Sequence, residues 1–172
     1  MSEQIIHIQW EGPHTLNAIT SLNGACDKGL YQVYAHHPVY GQCLVYIGKT
    51  CTTFAERICQ SPPQEQWEGG SENDPRKVEY YVGRLKWAKT PERDQWDREI
   101  EQAEALLIHA HGPAYNSTNI KAINNEEAVK NIRVLDWGAV CSLHREVSGL
   151  MWMAAAPARE LVIYGRPPAE VG

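Results

Sequence analysis

The chain has 172 residues, 43% of them apolar and 22% charged, values ordinary for a soluble globular protein that exclude a disordered or collagen-like polymer. Sixteen basic residues against 21 acidic ones give a net charge of −5, which excludes a surface coated with positive charge but not a local basic groove. No apolar run approaches the ~18 residues of a membrane span. Met1 to Trp10 carries an acid and no basic residue ahead of its apolar part, so no signal peptide and no membrane association are expected, and the expected location is cytoplasmic.

In chain order, Ile5 to Trp10 alternates weakly and predicts an edge strand, broken by Glu11-Gly12-Pro13. His14 to Leu22 predicts a short helix and Asn23-Gly24 a turn. Leu30 to Ala35 and Leu44 to Ile47 are rich in β-formers and predict a hairpin with a long tip between Ala35 and Cys43, where Pro38 and Gly41 stand. Thr53 and Glu56 have the spacing of a capping box, so a helix follows with Phe54 and Ile58 on one face and Arg57 at or just beyond the first turn. Ser61 to Pro75, with three prolines and two adjacent glycines, reads as a loop, and Val78 to Gly83 as a third strand. Thr90-Pro91 opens a long helix that stops at Gly112-Pro113, with Trp96, Ile100, Ala103, Leu107 and Ala110 as its apolar stripe. Beyond Ile120, the segments Ile132–Leu135, Gly149–Met153 and Leu161–Tyr164 read equally as strands or short helices.

Three clusters carry chemistry of their own. Positions 76 to 98 hold seven basic residues (Arg76, Lys77, Arg84, Lys86, Lys89, Arg93 and Arg98) against four acids, a local excess of three; a solvated face is the plain account. The five cysteines are odd in number, scattered and without a Cys-x-x-Cys, and neither His36-His37 nor His109-x-His111 has a further ligand at metal-binding spacing, which leaves a zinc-binding regulator poorly supported. Glu104 falls at the border of the apolar stripe of the long helix, where an ionised carboxylate must be paired or must hold a metal.

Gly29-Leu30-Tyr31 followed by Tyr46-Ile47-Gly48, each on a predicted strand of one hairpin, resembles the signature of the GIY-YIG nuclease family. Three further matches follow: Arg57 in the helix after the hairpin, Glu104 in the long helix, and Pro113-Ala114-Tyr115-Asn116 at its end. The stretch from Glu104 to Asn116 is similar to the nuclease domain of bacterial excision-repair incision proteins. The resemblance covers roughly 29–116, about half the chain. It implies an α+β fold built on a small antiparallel sheet of about three strands flanked by helices. The expected organisation is a nuclease domain over 1–119, with core 29–116 and an N-terminal extension 1–28, and a C-terminal extension 120–172 that packs on the core or forms a small accessory lobe.

The resemblance further implies an endonuclease that hydrolyses DNA phosphodiesters. Arg57 would hold the phosphate with its planar, permanently charged fork. Glu104 would hold one Mg²⁺ or Mn²⁺ ion, a hard oxygen ligand for a hard cation that stabilises the leaving 3′ oxygen. Tyr31 and Tyr46 would activate and bind the water, and which is the base stays open. A phenol ordinarily titrates near ~10, so Lys49 and Arg57 are expected to lower it. Gly48 would permit a close approach and Asn116 would tie the loop after the helix to the site. The chain departs from the family pattern at Ser61, where many members carry Tyr or His, and in its long hairpin tip, where His36, His37 or Tyr40 would replace the missing group or touch DNA. A homodimer would let so small a chain make two cuts. The competing class is a catalytically silent module on the same fold that binds nucleic acid or protein.

Overall fold

The computed structural model describes residues 3–37, 39–60 and 78–153. The strands are β1 (Gln4–His14), β2 (Gly29–His37), β3 (Gly41–Thr50), β4 (Val78–Lys86), β5 (Ile132–Gly138) and β6 (Glu146–Ser148). The helices are α1 (Leu16–Ile19), α2 (Phe54–Gln60), α3 (Arg93–His111), α4 (Glu126–Val129) and α5 (Gly149–Met153). The strands form one six-stranded sheet in the order β3-β2-β4-β1-β5-β6. All neighbours are antiparallel except β1 and β5, which run parallel.

This overturns the small, three-stranded antiparallel sheet that the resemblance implied. β3, β2 and β4 are antiparallel neighbours, but they are half of a larger mixed sheet. The other half grows from β1, expected at an edge and found between β4 and β5. Its alternation is that of an inner strand: Ile6, Ile8 and Trp10 are buried, and Ile5, His7 and Gln9 face the other way. The C-terminal stretch supplies β5 and β6. The hairpin tip is also shorter than expected, because pairing continues out to His37 opposite Gly41. The predicted loop 61–75 and the segment Leu161–Tyr164 lie outside the described residues.

Two apolar layers flank the sheet. On one side α3 packs Ile100, Ala103, Leu106 and Leu107 against Ile6, Ile8, Leu30, Ile47 and Leu85, and Ile132, Val134 and Val147 belong to the same cluster. On the other side α1 and α2 bring Ile19, Phe54 and Ile58 onto Tyr31, Val33, Val45, Tyr80 and Val82. At ~1.5–3 kcal/mol for each large apolar side chain withdrawn from water, both layers contribute heavily to stability. Thr53 Oγ1 accepts from the Glu56 amide at 3.1 Å and so caps α2. Gly112, in the left-handed region at φ 52°, closes α3 with its amide on the Ile108 carbonyl at 2.8 Å. Among the described residues no helix is long and apolar enough to cross a membrane.

Candidate active site at the edge of the hairpin

Strand alternation assembles the first part of the site. Tyr31 on β2 lies opposite Gly48 on β3, and Tyr46, two residues before Gly48, shares its face. The two phenol rings meet over the glycine with centroids 5.9 Å apart. A Cβ at position 48 would stand 2.5 Å from Cζ and Oη of Tyr31 and 2.6 Å from Cε1 of Tyr46. Gly48 is therefore the gap into which both rings fit. Tyr31 is buried and Tyr46 is half-buried.

The neighbouring position, Lys49, points to the opposite face and reaches α3. Its ammonium lies 2.9 Å from Glu101 Oε1 and 3.1 Å from Glu104 Oε2. Glu104 keeps only 14% of its side chain exposed, whereas Glu101 is open to solvent. Glu101 is the participant that the sequence reading passed over. Its signal was its place one helical turn before Glu104 on the same face.

β3 is an edge strand, and the loop after α3 covers its open side. Asn116 Oδ1 accepts from the Ile47 amide at 3.0 Å, its Nδ2 donates to the Ile47 carbonyl at 2.8 Å, and the Tyr115 amide donates to the Val45 carbonyl at 2.9 Å. The Asn116 side chain thus pairs with the strand as another strand would, and it fixes the end of α3 to the hairpin.

Arg57 is exposed on α2, with Phe54 and Ile58 buried on the other side of that helix. Its guanidinium is near enough to act electrostatically on both Tyr31 and Glu104. Burial is the largest influence on Tyr31 and raises its pKa. Tyr46 and Glu104 add to the rise and Arg57 opposes it, leaving the phenol well above its usual range. The expected lowering by Lys49 and Arg57 is therefore outweighed, because Tyr31 is buried and Lys49 is turned toward the two acids. Burial also raises the pKa of Glu104, against the pull of Lys49 and Arg57, and Glu101 adds to the rise. Lys49 itself is held above its ordinary value: burial acts against its charge, but the two carboxylates outweigh that.

The Glu104 carboxylate already faces the Lys49 ammonium at 3.1 Å, so a divalent ion there would have to share that carboxylate with Lys49 or displace it. No group of three or more His, Cys, Asp or Glu side chains stands ready for a metal among the described residues. An ion at Glu104 would draw its other ligands from water and phosphate. Of the other residues considered, His37 stacks on Tyr40 at the exposed hairpin tip, 4.8 Å between centroids, and all five cysteines are free thiols. Ser61 lies outside the described residues.

No protein-family model, no curated protein and no solved structure matches the chain.

Proposed function

We propose that the chain is a GIY-YIG-type endonuclease that hydrolyses DNA phosphodiester bonds with the help of one Mg²⁺ or Mn²⁺ ion. One observation carries the reading. Tyr31 and Tyr46 meet over Gly48, and Arg57 and Glu104, from two other elements, act on the same phenol. The Tyr31 ring packs in the core, but a largely buried carboxylate near its hydroxyl would be an expensive choice for structure alone.

In this reading Arg57 binds the scissile phosphate and offsets the charge added by attack. A bound ion would supply Lewis-acid stabilisation of the leaving 3′ oxygen. Glu104 would hold such an ion, with Lys49 giving up its contact to Glu104 and keeping the one to Glu101, one turn away. Tyr31 orients the attacking water and, once its own hydroxyl proton has passed to solvent, accepts the water's proton as the phenolate. Burial holds that phenol protonated, so the phenolate forms only when added cationic charge beside it, from Arg57 and a bound ion, brings its pKa down. Tyr46 shares the phenol hydrogen bond and holds the water or a phosphate oxygen. Asn116 and Gly48 position these groups. A cytoplasmic enzyme fits the five free thiols, and a homodimer would place two such sites for a double cut.

The test is cleavage of plasmid and oligonucleotide DNA with Mg²⁺ or Mn²⁺, comparing the wild type with Glu104→Ala and Arg57→Ala. Each substitution is expected to lower the rate ~10²–10³-fold. Cleavage by both variants at the wild-type rate would reject the assignment. One observation favours a second reading: Lys49 already neutralises Glu104 at 3.1 Å. That suits a silent nucleic-acid-binding or protein-interaction module on this fold, which would bind DNA and leave it uncut under every metal condition.

A further inference from the structure

The face that α1 and α2 cover over the hairpin half of the sheet continues across β1 and β5, and there it carries a second surface. Gln9 lies beside Trp137 of β5, and His7 beside Lys86 of β4. With Ile5 and Trp87 they line an open groove of about 470 Å³. Ile5 and Trp137 are 47% and 48% exposed, an unusual amount of large apolar surface to leave in one place on a sheet.

The aromatic planes in this groove are fixed beforehand. Trp137 Nε1 donates to His7 Nδ1 at 3.1 Å, and the two rings stack with centroids 6.1 Å apart and planes 23° from parallel. Trp87 Nε1 donates to the buried Glu99 Oε2 at 2.6 Å. With its hydrogen of highest polarity already used, Trp137 has chiefly its ring face to offer.

The charge of the groove opposes that of the chain. The lining contains Lys86 and no carboxylate, in a protein of net charge −5. Neighbouring cations are neutralised. Arg84 pairs with Asp27 at 2.6 Å and Glu11 at 2.9 Å, and Arg133 pairs with Glu3 at 2.9 Å and Glu146 at 3.4 Å. Lys86, from the basic cluster at 76–98, is exposed and has no such carboxylate partner among the described residues.

We propose that this groove binds an unpaired stretch of nucleic-acid strand, with a base on the face of Trp137 and a backbone phosphate beside Lys86. A rigid aromatic face next to an exposed cation is the pairing that single strands use, since a duplex keeps its base faces covered. An apolar protein partner would bury the Lys86 charge without an acceptor. The surface shares no residue with the Tyr31–Glu104 corner, so the proposal stands apart from the nuclease reading.

The experiment is fluorescence anisotropy of a labelled single-stranded oligonucleotide and of its duplex, with the full chain in EDTA, over a range of salt. The single strand is expected to bind the more tightly. Trp137→Ala is expected to weaken it ~5–150-fold, and Lys86→Gln to flatten the dependence of log K on log salt by about 0.7. Trp137→Leu retains apolar cover on β5 while losing the ring face. It should show the same weakening at an unchanged melting temperature, which separates loss of stacking from loss of folding. Equal binding by wild type, Trp137→Leu and Lys86→Gln would overturn the proposal, as would no binding by the wild type. A wild-type dimer that Trp137→Leu converts to monomer would assign the groove to a second copy and would also overturn it. Because binding is read without metal, a failure to cleave DNA bears on the nuclease reading alone.

Discussion

Gly48 makes the pair of tyrosines possible, and its substitution separates geometry from stability. Gly48→Ala would force the Tyr31 and Tyr46 rings apart. Overpacking of this kind costs ~1–3 kcal/mol, but displacing reacting groups by ~1 Å costs ~10²-fold in rate. The cleavage rate is therefore expected to fall by about two orders of magnitude in a protein whose thermal unfolding still shows one transition. Asp136 makes a different prediction. It is buried on β5, accepts from Trp10 Nε1 at 2.6 Å through Oδ1, and has no partner for Oδ2 among the described residues. Burial raises its pKa from 3.8 to about 7, against the pull of Trp10 and Arg145. Such a carboxyl binds its proton more tightly folded than unfolded, so its contribution is complete below pH 4 and is lost as pH rises toward 7. The full difference is worth ~4 kcal/mol. Asp136→Asn keeps the Trp10 bond and is expected to remove this fall, giving a flatter stability curve between pH 4 and 8 in chemical denaturation. A wild-type curve that is flat over that range would refute the assignment.

Local signals at the element scale read well from the chain wherever they carry their own punctuation. α3 announces itself through its apolar stripe and ends at Gly112, where φ is 52°. The Leu30–Ile47 hairpin follows from its β-formers, and Thr53 caps α2 at the expected place. Long-range pairing was hidden. β1 shows the same weak alternation whether it lies at an edge or inside a sheet, and its parallel partner β5 begins 128 residues after it in the chain. The hairpin tip misled because Pro38 and Gly41 suggested a loop, while pairing extends to His37 and Gly41. In the candidate site, residue identities came from the motif, but the direction of the Tyr31 shift did not, since burial is a property of the packed hairpin. Asn116 is where element and site meet. Asn116→Ala removes two bonds to Ile47, and the expected cost is ~1–3 kcal/mol. A lower melting temperature together with slower cleavage checks this, and an unchanged melting temperature would count against the clamp.

Across the described residues, the sheet joins β1 and the much later β5 and β6 into one core. Ile6, Ile8 and Trp10 from the start pack in the same cluster as Val134, Leu143 and Val147 from much later. Glu99 on α3 adds a polar tie: it accepts from Gln4, Trp87 and Gln95 at 2.9, 2.6 and 2.9 Å, which joins the helix to β1 and to the residue after β4. A fragment that stops at 119 would keep the four motif side chains but strip β1 of its parallel neighbour and expose the apolar cluster. Such a fragment is expected to lack a cooperative thermal transition by circular dichroism, whereas the full chain melts in a single step. A cooperative melt of the fragment near the temperature of the full chain would show that β5 and β6 are dispensable.

The central claim is that Glu104 serves catalysis through a bound cation. Its most direct measurement is the single-turnover cleavage rate of Glu104→Gln on an oligonucleotide at saturating Mn²⁺, with DNA affinity measured alongside. The account predicts a rate at least ~10²-fold below wild type with affinity held within about threefold. A variant that cuts as fast as the wild type would contradict it.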